Sequence, residues 1–381
     1  MERKWFIRPY QDGDEEAIYD LRCAVFGEIQ DKEQWLKTWN WKYKNNPAGN
    51  PVIWVALAGD KLVANYAVIP VKMKIGDEII EASQSVDTMT HPEYQGQGIF
   101  LELTRQVFSD AGKQGKDIIY GFPNKMTSWH QKNWLDVGEL YAMMKPLNLK
   151  GILGILVHNR LIINILAAVG NLVINLISRV KIPPEVDGLK INRISSFDER
   201  INDLWQKVSN DYQIMVVRDK EYLNWRFVDV PGGDYTIYIA EIEGQVLGYT
   251  VVKCEEYSEL KIGRIFELTV PSGQQAIAQA LILKAIEFFD REKADFILYR
   301  IIGNKAYHRV LKKCGFINSH FLGRIIGNKF YNKILKIFGF IKSDYVSSYR
   351  FVARSNTAKV PGELLKDHRN WLVQTGDSDY V

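Results

Sequence analysis

Residues 86–103 read VDTMTHPEYQGQGIFLEL, and this stretch is the most informative part of the sequence about the fold. Its first part alternates apolar and polar residues as a strand does, and its last part has the apolar spacing of a helix. Between the two lies Gln95-Gly96-Gln97-Gly98. Glycines before a helix N-terminus let backbone N–H groups converge on an anion, and the helix dipole adds partial positive charge there. The stretch therefore predicts a strand–loop–helix unit that binds a pyrophosphate, with a tight turn as the alternative.

Two common nucleotide-binding motifs are absent from this stretch. No Gly-Lys-Ser or Gly-Lys-Thr follows the loop, which argues against a P-loop NTPase. The spacing Gly-x-Gly-x-x-Gly is not met either, which argues against a Rossmann dehydrogenase.

The chain on both sides of the loop predicts a mixed α/β architecture. Residues 5–10 read as a strand, and a helix follows with an apolar face formed by Ile18, Leu21, Val25 and Phe26. VIWVAL and KLVANYAVIPVKM, separated by Gly59-Asp60, predict a hairpin. Hairpins exclude a purely parallel sheet.

The second part of the chain passes through similar stages, so we interpret the fold as two domains of one architecture. Each domain is expected to be a twisted mixed β-sheet flanked by helices, and an apolar helical linker joins them. The predicted segments are a first domain at 1–146, a linker at 147–189, a second domain at 190–355 and a tail at 356–381.

The linker contains the most apolar part of the chain, residues 149–181. No charged residue occurs from Leu161 to Ser178, which is close to the length of a membrane span. Its amides, however, fall on one narrow stripe of a helix. We expect a helix packed against both domains, with an interfacial membrane helix as the alternative that is not favoured.

A local repeat follows in the second domain. RIIGNKAYHRVLKKCGFINS at 300–319 returns as RIIGNKFYNKILKIFGFIKS at 324–343, with 13 of 20 positions identical. A segment repeated only once does not form a solenoid, which needs several stacked units. One copy is interpreted as the original helix–strand element.

Composition excludes several classes of protein. Lys+Arg number 49 against 45 Asp+Glu, a net charge of +4, which is too balanced for a nucleic-acid binder that works by charge. The three Cys and six His are scattered, so neither a disulfide framework nor a metal site is predicted. The opening residues have no apolar signal segment, so we expect a cytoplasmic protein.

The glycine loop resembles that of the GNAT superfamily of N-acyltransferases, Gln/Arg-x-x-Gly-x-Gly/Ala. Gln95 and Gly98 match the first and fourth positions, and Phe100 stands where the family has a small residue. The resemblance implies an acyl-CoA co-substrate, acetyl-CoA, with its pantetheine amides on the backbone of Met89 and Thr90. The pyrophosphate would bind Gln95, Gly96, Gln97, Gly98, Ile99 and Phe100, and Asn124 would also contact the co-substrate.

The second domain resembles the same family only in outline. Residues 271–276, PSGQQA, lack the glycine loop, and Leu311 stands where the family has a tyrosine acid. The resemblance therefore implies a degenerate GNAT-like domain that does not bind acyl-CoA.

Acyl transfer to an amine needs a proton acceptor and sometimes an acid for the leaving thiolate. Asp87, on the strand before the loop, is the candidate base, with a structural aspartate as the alternative. The family's tyrosine is replaced by Trp134, so His130 is the candidate acid or relay. Tyr120, Tyr141, water and a carboxylate at Val381 stay open as alternatives.

Two further segments are not expected to form binding sites. The tail at 368–381 is expected to be a solvated acidic terminus rather than a cation site. The aromatic run Trp35, Trp39, Trp41 and Tyr43 is expected to pack in the core, with contact to the acceptor as the alternative.

These features together predict an acetyl-CoA-dependent N-acetyltransferase. The acceptor would be a primary amine of a small molecule: an amino sugar, an amino-acid derivative or an aminoglycoside-like compound. Two other classes stay open, a non-catalytic acyl-CoA-binding or scaffolding protein and an acyl or aminoacyl transferase to cell-envelope precursors.

Overall fold

A computed structural model describes most of the chain. The described residues are 4–27, 31–123, 134–154, 185–257, 260–302, 305–318 and 350–378, with isolated residues between 159 and 180. They form a mixed α/β fold with flanking helices, as the sequence predicts, but the strands join in one large sheet instead of two separate ones. Below, the first half denotes residues 4–154 and the second half residues 185–318.

The first half alternates hairpins and helices. Its helices are α1 (Asp14–Phe26), α2 (Lys32–Trp39), α3 (Ile99–Lys113) and α4 (Leu149–Gly154), and a π-helical segment, Asn40–Lys44, continues α2. Its strands are β1 (Phe6–Pro9), β2 (Val52–Ala58), β3 (Lys61–Ile75), β4 (Glu78–Thr90), β5 (Ile118–Gly121), β6 (Leu135–Glu139) and β7 (Tyr141–Pro146).

Local chemistry explains where helices α1 and α2 begin. Asp31 precedes α2, and its Oδ1 accepts a hydrogen bond from Gln34 N at 2.9 Å, which caps the helix. The first turn of α1 is acidic, which complements the helix dipole. On α1, Ile18 and Leu21 are buried as predicted, whereas Phe26 is 40% exposed, so the apolar face is narrower than the sequence suggests.

The second half repeats the order of a strand, two helices, three antiparallel strands, a helix and a parallel strand, with one short extra strand between its first two helices. Its helices are α5 (Arg200–Ser209), α6 (Lys220–Phe227), α7 (Gln275–Arg291) and α8 (Lys305–Lys313). Its strands are β8 (Lys190–Ile194), β9 (Ile214–Val216), β10 (Thr236–Ile242), β11 (Gln245–Tyr257), β12 (Leu260–Thr269), β13 (Phe296–Ile302) and β14 (Ile317–Asn318). The C-terminal residues add β15 (Arg350–Ser355), α9 (Gly362–Lys366) and β16 (Trp371–Gln374).

The sheet of each half includes a strand from outside that half. The first half has the order β1-β2-β3-β4-β5-β15-β6, and the second half has the order β8-β10-β11-β12-β13-β7-β14. β15 thus completes the first sheet, while β7 completes the second. β7 lies in the predicted domain 1–146 but pairs with β13, and β15 lies in the predicted domain 190–355 but pairs with β5. The domain boundaries themselves stay predictions. The second half therefore needs β7 of the first half, and the first half needs β15 of the C-terminal residues, to complete their sheets.

Two short strands join the sheets. β9 pairs with the end of β3, where Ile75 lies opposite Ile214, and runs parallel to β16, where Trp371 lies opposite Ile214. β16 in turn pairs antiparallel with β13. The described strands therefore form one 16-stranded sheet.

Two predictions concern segments that the structure describes only in part. Of residues 149–181, α4 covers the start and most of the remainder lies outside the described residues, so the packed linker helix stays a prediction. None of the described helices has the combination of length and hydropathy that a membrane span requires. The repeat copy at 300–319 supplies the end of β13, α8 and β14, whereas the copy at 324–343 lies outside the described residues.

Candidate functional site

The glycine loop begins where two parallel strands diverge. β4 and β5 pair only from Ala82 opposite Ile118 to Gln84 opposite Tyr120, although β4 continues to Thr90. Over residues 85–90, β4 pairs with β3 on one edge, and no strand among the described residues pairs with its other edge. Such a free edge offers backbone N–H and C=O groups to an extended ligand that carries amides. We call the opening between residues 85–90 of β4 and the end of β5 the first wedge.

The loop contains two glycines in the left-handed region. Gly96 has φ +74° and Gly98, directly before α3, has φ +81°. A Cβ at either position would meet no described atom within 4 Å, so the loop borders open space. Substitution is therefore opposed by the backbone conformation and not by crowding from the protein.

The side chains of the loop leave its backbone uncovered. Gln95 Nε2 donates to Thr90 O at 3.2 Å and Gln97 Nε2 donates to Glu93 O at 3.3 Å. No described side chain caps the N-terminus of α3. The dipole of α3 therefore places partial positive charge beside the open space, which favours an anion there.

Phe100 packs toward the sheet. Its ring stacks on Tyr66, with centroids 6.0 Å apart and planes at 19°. Ile99 beside it is 1% exposed. The large side chain at this position is thus accommodated by Tyr66 on β3 instead of covering the loop.

Asp87 lies in a β-bulge of β4. The register changes between Asn65 opposite Met89 and Ala67 opposite Val86, which leaves an extra residue on β4. Asp87 has φ +43°, and Asn65 Nδ2 donates to its carbonyl oxygen at 2.8 Å. A non-glycine residue in this region carries strain, which the bulge and the Asn65 hydrogen bond maintain.

The carboxylate of Asp87 is surrounded by donors from the elements that cover this face. Tyr43 Oη donates to Oδ2 at 2.5 Å, Lys42 Nζ donates to the same oxygen at 3.0 Å, and Arg22 Nη1 lies 3.9 Å from Oδ1. Burial alone would raise the pKa of Asp87, but Lys42, Arg22 and the Tyr43 hydrogen bond outweigh it and lower the pKa. Asp87 is therefore ionised near neutral pH. It attracts a cation well and is a weak base.

Sequence reasoning missed the partners of Asp87. The packing prediction for the aromatic run is confirmed, since Trp35, Trp39, Trp41 and Tyr43 are all at most 8% exposed. Tyr43 nevertheless also donates to Asp87, and Lys42 belongs to the same π-helical segment. Adjacent lysine and tyrosine at the end of an aromatic run were the available signal. Asp87 lies 45 residues after Lys42 and 44 after Tyr43, too far for a local pattern to pair them.

The structure brings several predicted site residues together at the first wedge: Met89, Thr90, Gln95, Gly96, Gln97, Gly98, Ile99 and Phe100. Asn124, His130 and Val381 lie outside the described residues, as does the side chain of Tyr141. Tyr120 is buried on β5, and burial raises its pKa well above the ordinary value, so it would release a proton poorly. Among the described residues, no group of three His, Cys, Asp or Glu is placed to hold a metal ion.

The prediction of a solvated acidic tail is wrong for residues 371–378. All of them are buried, and Asp377 is 2% exposed. Arg218 Nη2, itself buried, donates to both carboxylate oxygens of Asp377 at 2.9 and 2.7 Å. The charge is thus neutralised by an arginine 159 positions earlier, which no local pattern indicates.

Comparison with known proteins agrees with this geometry. The sequence of residues 6–135 matches the family model of the acetyltransferase (GNAT) domain. A GCN5-related N-acetyltransferase from Anabaena variabilis ATCC 29413 is 12% identical, with a TM-score of 0.61 over 93% of this chain and 73% of the other. One from Kribbella flavida is also 12% identical, with a TM-score of 0.56 over 92% and 71%. No curated protein matches the sequence significantly. Residues 6–135 therefore match a GNAT acetyltransferase domain, and the chain shares its fold with GCN5-related N-acetyltransferases.

Proposed function

We propose that the chain is a cytoplasmic, acetyl-CoA-dependent N-acetyltransferase that acts on the primary amine of a small molecule. The acceptor would be an amino sugar, an amino-acid derivative or an aminoglycoside-like compound. A GNAT domain supports acyl transfer in general, and the donor and the acceptor are our proposal. The observation that carries the proposal is the first wedge, a free strand edge that ends beside an uncapped helix N-terminus.

Backbone groups would hold the donor. The N–H groups of the glycine loop and of the first turn of α3 would bind the pyrophosphate, and the free edge at Met89 and Thr90 would bind the pantetheine amides. The glycines would then matter more than the side chains of Gln95 and Gln97, because those side chains are turned back onto Thr90 and Glu93.

The acceptor would approach from the face covered by α1 and α2, where Asp87 lies. Its ammonium must lose a proton before the nitrogen attacks the thioester carbonyl. The new C–N bond then forms as the C–S bond breaks, the nitrogen loses a second proton to become the amide, and the thiolate gains one. The ionised Asp87 would attract the ammonium and accept its proton, weakly because its pKa is lowered. His130 is our proposed proton source for the thiolate.

Turnover by the full chain tests the proposal. Purified protein is mixed with acetyl-CoA and a panel of amines, and thiol release is followed with a thiol-reactive dye. The Gly98→Val variant serves as a blank for the loop. Amine-dependent release in the wild type only is the expected result. Binding of acetyl-CoA without turnover on any amine would favour the binding-protein alternative, and absence of binding would refute the proposal.

A further inference from the structure

The second half contains a wedge that corresponds to the first. β12 and β13 are parallel neighbours from Ile262 opposite Phe296 to Ile265 opposite Tyr299 and pair no further, as β4 and β5 do. A helix, α7, connects them, as α3 connects β4 and β5. We call the opening between residues 266–269 and 300–302 the second wedge.

Residues 371–378, here called the inserted segment, fill the second wedge. β16 pairs antiparallel with β13, Ile301 opposite Gln374 and Ile302 opposite Val373. β7 already pairs with the other edge of β13 as far as Ile301, so β16 must occupy the edge that β12 has left. Every residue of the inserted segment is buried.

Gln374 bridges the wedge with its amide. Its Oε1 accepts from Leu268 N at 2.9 Å and from Tyr299 Oη at 2.5 Å, and its Nε2 donates to Glu267 Oε2 at 2.8 Å. Leu268 stands three residues before Pro271, as Met89 stands three residues before Pro92. The amide of Gln374 thus binds the backbone position that, by the proposed function, binds a pantetheine amide in the first half.

Charged side chains fasten the inserted segment at its far end. Arg218 donates to Asp377 and, through Nε, to Glu267 Oε2 at 2.9 Å. Arg226 donates to Gly376 O at 3.1 Å and to Ser378 O at 2.7 Å. Withdrawal of the segment would remove Asp377 from the buried Arg218 and both carbonyl acceptors from the buried Arg226, which is strongly unfavourable. The segment is therefore a permanent occupant and not a lid.

The inserted segment also contacts the first half. Gln84 Nε2 donates to Asp377 O at 3.1 Å, and Gln84 is the last residue of β4 that pairs with β5. The occupant of the second wedge thus fixes β4 at the position where the first wedge begins.

We infer that residues 371–378 are an internal peptide ligand of the second half, bound where the first half would bind acyl-CoA. That the first wedge binds acyl-CoA rests on the proposed function, whereas the occupancy of the second wedge by residues 371–378 does not. The chain then binds one acyl-CoA, because the second half lacks a glycine loop and its wedge is already occupied by residues 371–378.

Amide hydrogen exchange on the full chain without ligand tests the occupancy. Peptides that cover Leu268 and residues 371–378 should exchange slowly in the wild type. Gln374→Met keeps the volume and removes the amide, so exchange at Leu268 should become about 10-fold faster, whereas Gln245→Met, the same change at an exposed position, should leave it unaltered. Fast exchange of residues 371–378 in the wild type would overturn the inference. If Gln374→Met does not fold, that wild-type result still decides.

Native mass spectrometry of the wild type with acetyl-CoA tests the stoichiometry. One bound acetyl-CoA is expected, and two would contradict the inference. No binding at all would refute the proposed function alone, because the exchange measurement uses no ligand and decides the occupancy by itself.

Discussion

Trp41 of the first half and Trp225 of the second half stack with ring centroids 4.9 Å apart and planes at 17°. Each indole also donates to the backbone of the other residue: Trp41 Nε1 to Trp225 O at 2.7 Å and Trp225 Nε1 to Trp41 O at 3.0 Å. Trp41 belongs to the π-helical segment that carries Lys42 and Tyr43 to Asp87. The second half therefore supports the donors that surround the Asp87 carboxylate.

Trp225→Ala should weaken both stability and activity. Removal of the buried ring should lower the free energy of unfolding by about 3–5 kcal/mol. In the fraction that stays folded, the rate with the amine should fall while the affinity for acetyl-CoA stays similar, because the glycine loop lies elsewhere. Urea unfolding and calorimetry measure these quantities, with Trp205→Ala as the control for loss of a tryptophan in the second half. Full activity of folded Trp225→Ala would show that the contact does not support the site.

Gly98→Val should abolish binding of acetyl-CoA. Its φ of +81° disfavours a β-branched side chain, so the loop must change conformation and its N–H groups no longer converge. Gly59→Val, at φ +59° in a hairpin turn with equally open surroundings, is the matched control. It should lose stability and keep its affinity for acetyl-CoA. An unchanged dissociation constant for Gly98→Val would mean that the loop is only a turn.

Asp87→Asn should lower the rate by about 10²-fold, the lower end of the range for general base catalysis, because the lowered pKa makes Asp87 a weak base. Asparagine tolerates positive φ, so the bulge should persist. Affinity for acetyl-CoA should stay similar, and raising the pH should partly restore the rate as more amine becomes neutral. If the folded variant keeps full activity at pH 7, Asp87 has no role in proton transfer.

Tyr43→Phe removes the hydrogen bond to Asp87 and keeps the ring. Because the acceptor is charged, the free energy of unfolding should fall by about 1.5–3 kcal/mol at pH 7. The rate should fall less than in Asp87→Asn, since the carboxylate remains. Tyr19→Phe, another buried tyrosine of the same aromatic cluster, is the comparison. A larger rate loss in Tyr43→Phe than in Asp87→Asn would assign the chemistry to Tyr43 instead.

Glu267 should make stability depend on pH. Burial, opposed by Arg218 and reinforced by Asp377, raises the pKa of Glu267 from 4.5 to about 7. The native state then holds more protons than the unfolded state between these values, so this group's contribution to stability decreases as the pH rises from about 4.5 to about 7. Relative to the wild type, the Tm of Glu267→Gln should therefore increase between pH 5 and pH 8. The exposed Glu363→Gln should show no such trend, and a pH-independent difference for Glu267→Gln would contradict the prediction.

Features that depend on neighbouring residues were predictable from the sequence. The loop at 95–98, the hairpin of β2 and β3, and the helix after the loop follow from glycine positions and apolar periodicity. These signals act over a few residues, so the same local forces determine them in the folded chain.

Features that depend on distant partners were not predictable in this way. β7 and β15 have the pattern of strands in either sheet, and nothing in their residues tells which half they join. The tail reads as solvated until Arg218 is placed beside Asp377. An isolated 190–355 fragment would lack β7 and β16, the two strands that pair with β13 besides β12, so tests of acyl-CoA binding require the full chain.

The most direct test of the central claim is the footprint of acetyl-CoA in amide hydrogen exchange on the full chain. Binding at the first wedge should slow exchange in residues 86–101 and leave residues 266–276, around the second wedge, unchanged. Unchanged exchange in residues 86–101, or slowing confined to residues 266–276, would contradict the account.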